Sequence, residues 1–155
     1  NYNAPGLVVI SGNHEAVEQA CDLASVAGAR DVQVLPVNIP SHCLLMKPAA
    51  VKLQEALLTV HFSDSSIPVI QNADVRAYHD AAQIREALAR QLWQPVRWTE
   101  TIMSLVDAGV GRFFECGPGA VLTGFNRRTA PESGVFELTG LDNINKALQV
   151  ENRDE

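Results

Sequence analysis

Cysteine is scarce in this chain of 155 residues: Cys21, Cys43 and Cys116 are odd in number and none stands in a C-x-x-C pair. That argues against a disulfide framework and fits reduced thiols in a cytosolic protein. The histidines, His14, His42, His61 and His79, are scattered too, so no metal-ligand spacing occurs and no metal is expected. Positive charge is also short, with 12 Lys and Arg against 18 Asp and Glu, a net charge of −6 and a pI near 5.2. A general nucleic-acid binder needs a basic face, which this balance opposes. A local patch drawn from Arg76, Arg97, Arg112, Arg127 and Arg128 stays open. No apolar run approaches the roughly 20 residues that a membrane helix needs. No charged segment followed by an apolar core opens the chain, so no secretory leader is expected. The loop-like start "NYNAPG", without Met, leads to the expectation that the chain is the later part of something longer. Internal repeats and low-complexity linkers are absent.

What is present is the material of a globular domain: 46% hydrophobic and 19% charged residues, with enough chain to bury a core. "GLVVISG" (6–12) reads as a buried strand. Asn13 is placed to cap a helix with Glu15 and Glu18 in its first turns and Val17, Ala20, Cys21, Ala24 and Ala27 at helical spacing, ended by Gly28. "DVQVLPV" (31–37) alternates as a second strand would, which makes the first forty residues a β-α-β unit. A helix is expected along Ala49, Ala50, Leu53, Ala56, Leu57 and Val60, then a short strand at "SIPVIQN" (66–72). Asp80 with Gln83 forms a capping-box pattern ahead of Ala81, Ile84, Leu88 and Leu92, before Pro95 interrupts. Thr99 is the expected cap of the next helix, with Gly109 at its end. "VGRFFECGPGAVLTGFNRR" (110–128) predicts strand, sharp turn and short helix, followed by the β-like "GVFELTG", a helix near 141–149 and a charged tail. Strands alternate with helices, so the class is α/β with at least partly parallel pairing.

The residues with most chemical promise lie in "NIPSHCLLMKPAA" (38–50), where His42 sits at a loop-to-helix junction between Ser41 and Cys43. An imidazole there suits proton transfer at neutral pH; a histidine that merely caps the helix or bonds a carbonyl is the other reading. Neither neighbour is a good nucleophile for it, because adjacent residues in an extended segment point to opposite sides. No serine of the chain lies in a G-x-S-x-G elbow, so a base stands without its nucleophile. "ECGPGAVL" (115–122) is a tight strand-to-helix turn whose free N–H groups could take an anion, although it lacks the Lys-Ser/Thr of a phosphate loop. A turn that lets strand and helix pack closely is the preferred reading there. His14, His61 and His79 read as surface or structural groups.

Taken in order, "NAPGLVVISG", "LPVNIPSHCLLMKPAA", "IPVIQNAD", "ALARQLWQPVRW" and "FFECGPGAVLTGF" resemble bacterial malonyl-CoA:acyl-carrier-protein transacylases of type II fatty-acid synthesis, up to about residue 128. The resemblance implies part of an α/β-hydrolase-like core plus the second β-α-β half of a ferredoxin-like subdomain, with residues 1–40 in the subdomain and 41–155 in the core. It implies transfer of a malonyl group from coenzyme A to the phosphopantetheine thiol of acyl carrier protein through an acyl-serine. His42 matches the catalytic histidine, and Gln91 the glutamine whose main-chain carbonyl orients it. Ser41 matches a position linked to acyl choice in related polyketide enzymes, a substrate-binding assignment that serine does not decide. Asn72 and the Gly117–Gly119 turn match recurrent positions with structural roles. The G-H-S-x-G serine and the arginine that binds the malonyl carboxylate belong to a preceding N-terminal part of the enzyme.

The resemblance further implies malonyl-CoA, acyl carrier protein and that N-terminal part as partners, no nucleic acid, no membrane, no cofactor beyond the coenzyme A thioester, and a cytoplasmic setting. The carrier protein is acidic, so an arginine-bearing rim would assist docking. On its own the chain is expected to be inactive. Two other classes are weighed beside this one: a hydrolase using Cys43, His42 and a carboxylate, and a non-catalytic fragment or partner-binding α/β module.

Overall fold

A computed structural model of the chain describes residues 1–151, and the expected charged tail lies outside the described residues. The elements, in order, are β1 (Tyr2–Ala4), β2 (Leu7–Val8), α1 (His14–Val26), a 3-10 turn (Leu44–Met46), α2 (Lys47–Leu57), β3 (Ile70–Gln71), β4 (Arg76–Ala77), α3 (Ala81–Arg90), α4 (Trp98–Asp107), β5 (Arg112–Glu115), α5 (Val121–Thr129), β6 (Gly134–Glu137) and α6 (Leu141–Glu151). The class is mixed α/β, as the alternating pattern predicts. No helix among the described residues is long and apolar enough to cross a membrane. Two compact units divide the chain: Asn1 with Val9–Arg97, and Tyr2–Val8 with Trp98 onward.

In the second unit β5 and β6 pair in parallel from Arg112 opposite Gly134 to Glu115 opposite Glu137, with α5 as the crossover between them. Parallel neighbours require such a crossover, and the 110–137 pattern predicts it. Ile102, 2% exposed, Phe113, Ala130 and Val135 form the core of this unit, backed by Trp98, Leu105 and Val110. Asn126 is buried within α5 and is satisfied, because the Trp98 indole N–H donates to its side-chain oxygen at 2.8 Å. The rings of Phe114 and Phe136, side by side on adjacent strands, stack with centroids 5.2 Å apart. β1 and β2 form a short antiparallel hairpin in the same unit.

The first unit holds α1, α2 and α3 with the small antiparallel hairpin β3–β4. α2 packs on α3, and the residues they bury outright are alanines, Ala50 on one and Ala87 and Ala89 on the other, which permits close approach. Asp80 caps α3 as its sequence predicts: one carboxylate oxygen accepts the N–H groups of Ala82 and Gln83, each at 3.0 Å. Gly28 and Gly109, just past α1 and α4, both adopt φ of +90°, the left-handed conformation expected of a residue that ends a helix.

Several local expectations are corrected. The 6–12 run is a strand only at Leu7–Val8, and the 66–72 run only at Ile70–Gln71. Residues 31–37 form no strand, so the first forty residues are not a β-α-β unit. A strand exists only as one side of a ladder, and this segment has no ladder partner among the described residues; Val34 and Val37 are each 63% exposed. Asn13 does occupy the N-cap of α1, in extended geometry, but its side chain makes no capping bond. Thr99 lies inside the first turn of α4 rather than before it, and its hydroxyl donates to the Tyr2 carbonyl at 3.0 Å.

If Ile102 anchors the second unit, Ile102→Ala will lower unfolding free energy by about 2–5 kcal/mol in a denaturant titration, and Ile102→Val by about 0.5–1.5 kcal/mol. Equal, small losses for both would show that this side chain is not a packing anchor.

Candidate active site

His42 is brought to the end of α3 by two hydrogen bonds. Its main-chain N–H donates to the Leu92 carbonyl at 2.9 Å. Its ring Nδ1 lies 2.8 Å from the Gln91 carbonyl oxygen. A carbonyl only accepts, so the proton of this bond sits on Nδ1 and leaves Nε2 as the ring nitrogen with an open lone pair. That is the tautomer a general base requires.

Both acceptors have a common origin. Carbonyls in the last turn of a helix lack the N–H partners that interior ones find, and they carry the negative end of the helix dipole. Gln91 is the C-cap of α3, and its neighbour Leu92 follows directly. A proton arriving at Nε2 would leave the Nδ1–H bond to the Gln91 carbonyl in place.

The backbone of His42 is itself unusual, with φ of +65°. Left-handed geometry is uncommon outside glycine, although histidine tolerates it better than β-branched residues do. Around it, the Ser41 N–H donates to the Ile39 carbonyl at 2.8 Å, and the Ser11 hydroxyl donates to the Ser41 carbonyl. Lys47, at the start of α2, places its ammonium 4.7 Å from the centre of the Trp93 ring, a third link between the histidine segment and the end of α3.

Ser41 is exposed and its main chain is fixed. Cys43 is half-buried, and its thiol is directed to the Pro40 carbonyl at 3.2 Å. Neither neighbour is set against the imidazole. His14 is an exposed partner of Glu18, and the exposed His79 ring contacts the Ser65 carbonyl at 3.2 Å, as expected of surface groups. No cluster of three or more His, Cys, Asp or Glu side chains with metal-binding geometry occurs among the described residues. Of the arginines considered for a basic patch, Arg76 and Arg97 belong to the first unit and Arg112, Arg127 and Arg128 to the second.

The "ECGPGAVL" turn brings its free amides to a partner within the chain. The Glu115 carboxylate accepts the N–H groups of Leu122, at 3.2 Å, and Thr123, at 2.6 Å, at the start of α5. An internal carboxylate thus occupies the place an external anion would need, and the packing reading of this turn is the one the geometry favours. Burial alone would raise the Glu115 carboxyl; its Thr123 contacts and the amides of Leu122 and Val121 outweigh burial and hold it below the usual glutamate value.

Curated and solved relatives match most of this chain. No family model matches the chain. The malonyl CoA-acyl carrier protein transacylase of Salmonella typhimurium is 50% identical over 128 residues, which are 83% of this chain and 41% of that protein. A solved malonyl-transacylase in complex with its type II polyketide acyl-carrier protein superposes with a TM-score of 0.87 at 43% identity, covering 89% of this chain and 45% of the other. The acyl carrier protein S-malonyltransferase of Vibrio cholerae gives a TM-score of 0.85 at 42% identity, covering 88% and 44%.

The chain is homologous to the C-terminal part of the malonyl CoA-acyl carrier protein transacylases. It spans less than half the length of the curated relatives it matches. In this transacylase homologue the two residues singled out in the sequence, His42 and Gln91, are brought into contact, while Ser41 stands beside them without a contact from its side chain to either. Sequence reasoning missed the Leu92 carbonyl and the Ser11 hydroxyl, which hold the main chain around the histidine. Leu92 had no signal of its own, since a main-chain carbonyl has no sequence signature. Ser11 had none, because its partner lies 30 residues away.

The lowered Glu115 value fixes the sign of a pH effect. A carboxyl whose folded-state value is depressed stabilises the fold above its unfolded-state value, and that stability is lost as pH falls through the folded-state value. Glu115→Gln is therefore expected to lose stability at neutral pH and to show a flatter acid limb than the native chain in thermal melts. Parallel acid limbs for the two would contradict the capping role.

Proposed function

We propose that this chain supplies the general base of a malonyl-CoA:acyl-carrier-protein transacylase, a cytoplasmic acyltransferase of fatty-acid synthesis. The observation that carries the reading is the 2.8 Å contact between His42 Nδ1 and the Gln91 carbonyl, with Nε2 left to exchange a proton. Gln91 acts through its main chain, by orienting the ring. Ser41 belongs to the wall of the acyl site. The nucleophilic serine, and the arginine that meets the malonyl carboxylate, come from outside these residues, on the N-terminal part of the enzyme.

The chemistry is two-step acyl transfer. Nε2 of His42 takes the proton of the serine hydroxyl as the oxygen attacks the thioester carbon of malonyl-CoA. The C–S bond breaks, the coenzyme A sulfur leaves and takes the proton back from the imidazolium, and malonyl-serine remains. The phosphopantetheine thiol of the carrier protein then gives its proton to Nε2 and attacks the ester. The C–O bond breaks, and the serine oxygen recovers the proton. The helix end facing Nδ1 stabilises the imidazolium in both steps, without taking a proton itself.

The same proposal assigns residues 1–40 to half of a ferredoxin-like subdomain, in which the 31–37 segment would find a ladder partner only in the complete enzyme, and 41–155 to the hydrolase-like core. Malonyl-CoA, acyl carrier protein and the N-terminal part are its partners. The cysteine-hydrolase alternative is opposed by the Cys43 thiol, which donates to Pro40 and not to His42.

In the complete enzyme, His42→Ala is expected to cut malonyl transfer by about 10²–10⁴-fold while the enzyme still folds, whereas Cys43→Ala retains most activity. Near-native turnover of the His42 variant, or loss of turnover confined to the Cys43 variant, would overturn the assignment.

A further inference from the structure

The end of α3 carries the two carbonyls that His42 uses, yet helix ends fray unless something holds them. The residue immediately before Gln91 is Arg90, and its guanidinium does not point into solvent. It pairs with the carboxylate of Asp74 in the β3–β4 turn and, one helical turn back, with Glu86 at 2.7 Å. The Tyr78 hydroxyl donates to the same Asp74 oxygen at 2.8 Å. Glu86 is 62% exposed and makes an ordinary same-face helix pair. The Arg90–Asp74 pair is different: the side chains are 22% and 17% exposed, and the pair ties α3 to a hairpin 16 residues earlier.

The hairpin grips the segment on both sides of the carbonyls. Asp74 takes Arg90 before them, and the Asn72 carbonyl accepts the Arg97 N–H at 2.9 Å after them. The turn that presents Asp74 is itself forced. Val75 adopts φ of +57°, and it and His42 are the two non-glycine residues with positive φ among the described residues. For a β-branched residue this is a true outlier, of the kind that persists only where surrounding contacts over-determine it. Here the Val75 N–H is bound to the Gln71 carbonyl at 2.9 Å, and Gln71 is buried. The two strained residues thus stand at the two ends of one connection: His42, the Gln91 carbonyl, Arg90, Asp74, Val75. Burial alone would raise the Asp74 carboxyl, but the hydrogen bonds from Arg90 and Tyr78 and the charges of Arg90 and Arg76 hold it below its usual value, so the clamp stays ionised.

We infer that Arg90 and Asp74, supported by Tyr78, are positioning residues that set the orientation and tautomer of the His42 imidazole by fixing the end of α3. The inference rests on the reading of His42 as the base. None of the three touches the imidazole, and their effect reaches it only through the Gln91 carbonyl. A clamp of this kind governs the chemical step and leaves substrate binding alone, so its loss falls on kcat more than on KM.

The test uses the complete enzyme with Arg90→Gln, Asp74→Asn, Tyr78→Phe and Arg90→Lys, and reads malonyl transfer alongside the ¹⁵N NMR signals of the neutral His42 ring. Arg90→Gln and Asp74→Asn are each expected to lower kcat by about 10-fold or more while KM for malonyl-CoA moves less than about 3-fold. The double variant should be no worse than the poorer single one, because both remove one contact. In the NMR spectrum Nδ1 should lose its purely protonated character and the two tautomers mix, which simple loss of stability would not produce. Arg90→Lys keeps the charge and should recover part of kcat. Tyr78→Phe, the mildest change, should show a smaller loss in the same direction, and it decides the matter should Arg90→Gln fail to fold. Native kcat with an unmixed Nδ1–H tautomer in Asp74→Asn and Tyr78→Phe would overturn the inference. Failure of the base assignment is read separately, as turnover surviving in His42→Ala.

Discussion

The carbonyls of Gln91 and Leu92 have run out of helix, and His42 takes both of them, one with its backbone N–H and one with its ring. Several features of the first unit bear on that contact. α3 is started cleanly by Asp80 and is packed on α2 through alanines, so its far end arrives at a defined place. The histidine holds a left-handed backbone while it presents both donors. The helix end that satisfies these donors is also its negative pole. Structure and chemistry therefore share one interaction: the bond that orders the loop is the bond that selects the tautomer.

The second unit illustrates the same economy with the opposite charge. At the start of α5 the unpaired groups are N–H donors, and the chain sends Glu115 to meet them from the end of β5. The glycine-proline-glycine turn between them needs no external anion to explain it. Helix ends are the points at which a fold must find partners for its own backbone. One of these ends is closed by a carboxylate and kept for architecture, whereas the other is closed by an imidazole that retains a free nitrogen.

How much of this was legible in the sequence follows from the range of each interaction. The Asp80 cap, the glycines after α1 and α4 and the β5-α5-β6 crossover rest on neighbours within a few residues or on a repeating apolar pattern, and they were readable. His42 stood out because of its residue type and its place at a junction, and Gln91 only because of the family resemblance, since a carbonyl has no sequence signature. The strand expected at 31–37 failed for a physical reason: alternation describes which faces are apolar, but a ladder needs a partner, and the described residues offer none there. The Arg90–Asp74 connection and the strained Val75 were invisible, because they depend on which turn lies beside which helix end. Of the site, the reactive group was legible and its support was not.

The end of α3 holds His42 with Nδ1 occupied, and in the proposed reaction Nε2 is open to a nucleophile from the remainder of the enzyme. A high-resolution structure of the complete enzyme measures this most directly. His42 Nδ1 is expected to remain within hydrogen-bond distance of the Gln91 carbonyl while Nε2 lies about 2.6–3.2 Å from a serine hydroxyl. A ring turned away from Gln91, or an Nε2 that meets no nucleophile, would contradict it.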